Sequence, residues 1–279
     1  MRLGGPIFEK CSDPLSWLTL LRRAGYGAAF CPVGVDTDAA TVRNYGETAR
    51  KAGIIIAEVG AWSNPLSTDH AIREKALDGC KKSLALADQI GARCCVNIAG
   101  SRGEKWDGPH ANDLTPETFD LIVQTVRDII DGVKPRNTFY TLETMPWMYP
   151  DSPESYLQLL KAIDRRAFAV HLDPVNLICS PRRYFNNGDV IKECFQKLGP
   201  YIKSCHAKDI LLQGKLTTHL DEVRPGLGNL DYGTFLKELN KLDPNVPLMM
   251  EHLPDAEEYT QAAKYIRSVA QKEGAKIVT

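Results

Sequence analysis

Apolar residues along the chain fall into short runs separated by longer stretches with helical spacing. The runs predict strands at residues 3–8, 27–33, 54–59, 94–98, 138–143, 168–172, 202–207 and 246–251. The stretches between them repeat apolar residues every three to four positions, the period of an amphipathic helix. They predict helices at about 13–23, 38–51, 70–90, 115–130, from 152 onward, 190–198, 232–242 and 256–272. Asp13-Pro14 and Thr115-Pro116 read as N-cap and first-turn pairs. Gly91 reads as a helix C-cap.

Strict alternation of strand and helix argues for a parallel sheet. Eight such units fit a (β/α)8 TIM barrel of roughly 250 residues. No composition break or linker divides the chain, so residues 1–279 are expected to form a single barrel domain. An open doubly wound sheet usually carries a Gly-rich turn after its first strand, and none is present here.

The charge balance changes the picture of partners. Lys plus Arg number 34 and Asp plus Glu 35. A nucleic-acid binder draws its affinity from phosphate neutralisation and usually carries a basic excess. No apolar run reaches the roughly 18 residues of a membrane span, and no leader pattern opens the chain. The eight cysteines form no CxxC pair and read as reduced, buried thiols of a cytoplasmic protein. No partner that is a nucleic acid or a membrane is therefore expected.

Barrel enzymes place their chemistry at the C-terminal ends of strands. The last four predicted strands close with Glu143, Asp173, His206 and Glu251. Strand parity directs all of them inward, because Leu142, Leu172 and Met250 take the alternate phase. Three converging carboxylates would repel one another, and a divalent cation resolves the conflict. Three oxygen ligands and one imidazole suit Mn2+ first, then Mg2+, and admit Co2+ or Zn2+. His171 shares the phase of Asp173 one layer deeper and reads as a buried supporting residue. Lys208 lies next to His206, and His110 and Trp106 lie in the long loop after the fourth strand. Trp62 and Trp147 follow the third and fifth strands. These are candidates for substrate contact, since aromatic planes suit the C–H face of a sugar.

The segments Thr-Leu-Glu143, His-Leu-Asp173-Pro-Val-Asn176, Ser-Cys-His206-Ala-Lys208-Asp209, Arg224-Pro-Gly-Leu-Gly-Asn-Leu-Asp-Tyr and Met-Met-Glu251-His resemble the xylose isomerase-like barrels. The resemblance is to their sugar phosphate isomerase/epimerase group. It implies that Glu143, Asp173, His206 and Glu251 bind the metal, and that Glu143 and Glu251 also move the proton. It gives Arg224 a contact with substrate oxygens. The ketose epimerases of the group carry a histidine and a second glutamate where this chain has Asn176, a further candidate for substrate contact, and Tyr149. The loop 97–110, with Met145-Pro146-Trp147 and Ser180-Pro-Arg182-Arg183, is similar to the larger subunit of enzymes that cleave 3-oxo-C-glycosides by elimination.

The resemblance implies a metal-dependent carbohydrate isomerase or epimerase working through an enediolate. Its alternative is a lyase or dehydratase on a keto-sugar or 3-oxo-glycoside. It also implies self-association or a small partner subunit. Two other classes share the barrel. A DNA-repair endonuclease needs extra histidines on early strands, and strands one to three here close at Glu9, Val33 and Gly60. A non-catalytic sugar-binding barrel would have no need of an intact ligand set.

Overall fold

The computed structural model describes residues 1–279. In chain order the elements begin with β1 (Arg2–Gly4), α1 (Pro14–Ala24), β2 (Ala28–Phe30), α2 (Ala39–Ala52), β3 (Ile55–Gly60) and α3 (His70–Ile90). They continue with β4 (Cys94–Asn97), α4 (Pro116–Val133), β5 (Tyr140–Glu143), α5 (Pro153–Ile163), β6 (Phe168–Leu172), α6 (Pro181–Phe185) and α7 (Asn187–Leu198). The chain finishes with β7 (Ile202–Ala207), β8 (Asp209–Gln213), β9 (His219–Val223), α8 (Tyr232–Leu239), β10 (Pro247–Met250) and α9 (Ala256–Glu273).

Eight of the strands close a barrel in the order β1-β10-β7-β6-β5-β4-β3-β2. Every ladder in it is parallel, from β1 on β10 through β2 on β3. The chain is therefore the expected (β/α)8 barrel. Strands β8 and β9 form a separate antiparallel pair. No helix is long and apolar enough to cross a membrane.

The helices start and stop where their sequences supply caps. Asp13 accepts from the amides of Leu15 and Ser16, and Gly25 ends α1 in the left-handed region at φ 69°. Asp69 caps α3, and Gly91 ends it at φ 78°. Thr115 and Ser152 cap α4 and α5, each followed by proline in the first turn. The helices bury one face against the outside of the barrel. Tyr140, Leu142, Tyr156, Val170, Leu172, Tyr232 and Phe235 belong to this outer core. Inside the barrel floor, Ala28, Ala57 and Met249 pack as a small separate cluster. Gly4 leaves room for it, because a Cβ there would lie 2.6 Å from the Met249 sulfur.

Several expected boundaries were too generous. β1 ends at Gly4 and β2 at Phe30, because the ladder stops there. The apolar residues that follow still pack: Phe8 lies against Tyr259 with ring centroids 5.5 Å apart. The expected helix at 190–198 starts earlier, at Asn187, and α6 precedes it. The expected helix at 232–242 ends at Leu239. The β8–β9 hairpin was not foreseen, since His-Leu-Asp-Glu-Val in β9 lacks an apolar face.

Candidate metal centre and substrate cavity

Four barrel strands deliver the four expected ligands to one place. One donor atom each from Glu143, Asp173, His206 and Glu251 lies within 4.8 Å of the others. Glu143 closes β5, Asp173 and Glu251 follow β6 and β10 directly, and His206 lies inside β7. Asp173 and His206 are fully buried, and Glu143 is 5% exposed.

Local bonds tie down the strand ends and the side chains of Asp173 and Glu143. The Tyr156 hydroxyl, from α5, donates to the Leu142 carbonyl at 2.6 Å and accepts from the Leu142 amide at 3.1 Å. The Thr144 hydroxyl donates to the Asp173 carbonyl at 2.7 Å and accepts from its amide at 3.0 Å, tying the ends of β5 and β6. Asp173 Oδ1 accepts from the amides of Val175 and Asn176. Its Oδ2 is left aimed at the cluster. Asn176 Nδ2 donates to the Thr144 carbonyl at 3.0 Å and to Glu143 Oε1 at 3.3 Å. Asn176 thus does a holding job in this chain.

Two cationic side chains sit among the carboxylates. His206 Nδ1 is 2.8 Å from Glu251 Oε1 and 3.0 Å from Glu143 Oε1. Lys208, next inward on the same phase, places Nζ 2.6 Å from Glu251 Oε1 and 2.8 Å from Asp173 Oδ2. Burial opposes a charge on His206, but Glu251, Glu143 and Glu58 outweigh it and push its pKa well above the usual histidine value. Burial likewise opposes charge on Lys208, and Asp173, Glu143 and Glu251 overcome it. Burial holds the Glu143 carboxyl above its usual range. Burial pushes Glu251 the same way, but His206 and Lys208 win and hold it below.

This set fits a divalent cation. Asp173 Oδ2 and Glu251 Oε1 are buried and receive no well-directed hydrogen bond. Their compensation is ion contact with the Lys208 ammonium and the His206 ring, close for Glu251 and at 4.0 Å for Asp173. Buried anionic oxygens of that kind demand positive charge. Three carboxylates and one imidazole form a hard, oxygen-rich donor set.

Above the cluster opens a cavity of about 540 Å³, the size range of small-molecule sites. Glu58, Glu143, Glu251 and Lys208 line its floor. Trp62, Trp106 and Trp147 line its wall and are each partly exposed. Trp147 Nε1 donates to the Asp107 carbonyl at 3.0 Å, which fixes that indole at the rim. Trp62 packs closely against Gly60, where a Cβ would stand 2.4 Å from its Nε1.

Of the expected substrate-contact residues, Trp106, Trp147, Asn176 and Lys208 line the cavity. Arg224 and His110 do not line it. Arg224 Nε instead donates to Glu258 Oε2 on α9 at 2.9 Å. His110 Nδ1 accepts from the Asn112 amide within its own loop. Tyr149, where ketose epimerases carry glutamate, also lies outside the cavity lining; its hydroxyl donates to the Leu114 carbonyl.

Three titratable lining residues outside the segments singled out for substrate contact escaped the sequence reading. Glu222, on β9, lies 3.5 Å from Lys208 Nζ and 3.1 Å from His252 Nδ1. His252 follows Glu251 with φ 58°, a left-handed turn that a non-glycine residue rarely takes. The Glu222 hydrogen bond raises its pKa against burial. Glu58 lies in β3, is 2% exposed, and meets His206 from below. The pattern Glu-His after Met-Met was the available signal for His252; nothing in the sequence marked Glu222.

The sequence model of the xylose isomerase-like TIM barrel family matches residues 18–269. Among curated protein sequences no significant match is found. Solved structures share the fold. A D-psicose 3-epimerase from Clostridium cellulolyticum is 13% identical, with 98% of this chain and 99% of that one covered at TM-score 0.68. A xylose isomerase-like TIM barrel protein from Mycobacterium smegmatis, in complex with magnesium, is 17% identical over 95% and 90%, at TM-score 0.66. Endonuclease IV from Thermus thermophilus is 13% identical over 98% and 100%, at TM-score 0.72. At such identities the likeness is one of fold.

Proposed function

This chain belongs to the xylose isomerase-like TIM barrel family, and from that membership and the site's geometry we propose that it is a divalent-metal-dependent carbohydrate isomerase or epimerase. The observation that carries the reading is the convergence of Glu143, Asp173, His206 and Glu251, with two buried carboxylate oxygens that receive no well-directed hydrogen bond, on the floor of a tryptophan-walled cavity. The fold alone would not choose, because an epimerase and an endonuclease share it. The cavity favours a sugar: a narrow acidic floor repels phosphates, and indole walls suit C–H faces.

Glu143, Asp173, His206 and Glu251 would hold the ion. A bound divalent ion supplies Lewis acidity toward a carbonyl and its neighbouring hydroxyl, which acidifies the C–H between them. Glu143 and Glu251 then carry the proton. One carboxylate removes it from carbon to leave a cis-enediolate of the sugar, and a carboxyl returns it. Return to the neighbouring carbon isomerises, and return to the opposite face of the same carbon epimerises. Lys208 is placed to steady negative charge developing on substrate oxygen, and the three indoles exclude water and orient the ring.

Elemental analysis of the purified protein tests the centre. About one equivalent of Mn2+, Mg2+, Co2+ or Zn2+ is expected in the wild type, with loss in both Glu143→Gln and His206→Ala. Keto-sugars incubated with the loaded protein in D2O should gain deuterium at the carbon next to the carbonyl and give products of otherwise equal mass. Loss of water or of an aglycone would assign elimination instead. No metal uptake after reconstitution would end the enzyme reading.

A further inference from the structure

Glu58 is a buried carboxylate that the proton chemistry above does not use. It reaches the barrel interior through a break in strand parity. β2 pairs with β3 as Ala28 with Ile55 and Ala29 with Ile56, and then Phe30 pairs with Glu58, skipping Ala57. Ile55 and Ala57 pack on the inner cluster of the floor, whereas Val59 belongs to the outer core. The extra residue therefore points both Ala57 and Glu58 inward. A regular strand would have turned position 58 outward beneath the helices. Bulges commonly re-aim one side chain beside a functional site.

What Glu58 meets is specific. Ser204 Oγ donates to its Oε2 at 3.1 Å. His206 Nε2 lies 3.3 Å from its Oε1. His171 Nδ1 stands 3.5 Å from its Oε2, and the His171 and His206 rings cross edge to face at a centroid distance of 4.1 Å. The two nitrogens of His206 thus have separate tasks. Nδ1 faces Glu143 and Glu251, and Nε2 faces Glu58.

We propose that Glu58 is a positioning residue for the metal centre. It accepts the Nε2–H of His206, so that the Nδ1 lone pair is the one presented to the ion. A ring nitrogen free to exchange its proton between the two sites would offer the wrong tautomer part of the time, and a ring free to rotate would miss the cluster. Carboxylates that hold the far nitrogen of a ligating histidine also raise its basicity toward the ion. Ser204 and the packed ring of His171 hold Glu58 in turn. This inference rests on the metal-centre reading, and it adds a residue from an early strand to a site otherwise built from late ones.

The test compares wild type, Glu58→Ala, Glu58→Gln and Ser204→Ala. Mn2+ affinity is measured by chelator competition. The His206 tautomer is read from long-range 1H–15N spectra of the Mg2+-loaded protein, and folding is checked by thermal melting. Glu58→Ala should weaken Mn2+ binding about ten- to hundredfold and mix the His206 tautomers. Glu58→Gln should recover most of the affinity, because the amide oxygen can accept Nε2–H while the Ser204 hydroxyl turns to meet the amide on its other side. Ser204→Ala should give a smaller loss of the same kind. Unchanged Mn2+ affinity and an unchanged tautomer in a folded Glu58→Ala would overturn the role while leaving the metal centre standing. Two equivalents of Mn2+ in the wild type, falling to one in Glu58→Gln and in His171→Ala, would overturn it in favour of Glu58 as a ligand of a second ion. No Mn2+ uptake by the wild type would overturn both readings.

Discussion

Lys208 is the residue whose loss the site should feel first when no ion is bound. Its ammonium touches Asp173, Glu251 and Glu143, and it is 3% exposed. Removing one member of a buried ion set leaves uncompensated charge, at a cost of about 3–5 kcal/mol. Lys208→Met should therefore lower the melting temperature of the metal-free protein strongly, and saturating Mn2+ should restore most of it. Melting curves with and without Mn2+ check this; an equal loss in both conditions would mean that Lys208 only packs. The convergence of Glu143, Asp173 and Glu251 was legible in the sequence because each sits at or just past a strand end, whereas His206 lies inside β7, whose ladder with β6 shifts register between Ile202 and Ser204. Glu58 was not legible, because its strand breaks alternation at Ala57. The ion pair of Arg224 with Glu258 was not legible, because Glu258 belongs to a helix that sequence spacing reads as barrel packing alone.

Among the elements, the β8–β9 hairpin is the addition that shapes the rim. It hangs from Asp209, whose carboxylate accepts from the amides of Gly226, Gly228, Leu230 and Ile210 at 2.8–3.1 Å. A Cβ on Gly228 would lie 2.4 Å from Asp209 Oδ1 and from the Ile210 carbonyl. Gly228→Ala should push this loop outward, with a loss of about 1–3 kcal/mol in stability. Because Glu222 rides on the hairpin, the variant should raise KM on a keto-sugar found active while leaving metal content at wild-type stoichiometry. A variant that lost metal as readily as substrate would show that the hairpin supports the floor as well. The eight barrel strands were legible because buried parallel strands are continuous apolar runs. This hairpin was not, since its second strand is half-exposed and polar.

For the whole molecule, metal and proton compete for the same histidine. The pKa of His206 is raised in the folded metal-free chain. Its stabilising charge is fully present below the unfolded value near about 6.5, and it is lost as pH rises through the raised folded value. Metal uptake runs the other way, because His206 must give up the proton on Nδ1. The melting temperature of the metal-free protein should therefore fall as pH rises from about 6 to about 9, and the gap between loaded and metal-free forms should widen. Scanning calorimetry at several pH values reads both trends; a constant gap would remove His206 from the ligand set. The barrel as a whole was legible because its eight units repeat one pattern, whereas the rim was hidden in connections that follow no period.

The neighbouring positions 208 and 209 divide their labour: Lys208 belongs to the floor, and Asp209 holds the chain that forms the rim. The hairpin turn beyond them bears a Leu216 that is 95% exposed and has no share in either. Descendants of this sequence can therefore lengthen, shorten or rewrite that turn while inheriting both floor and rim intact.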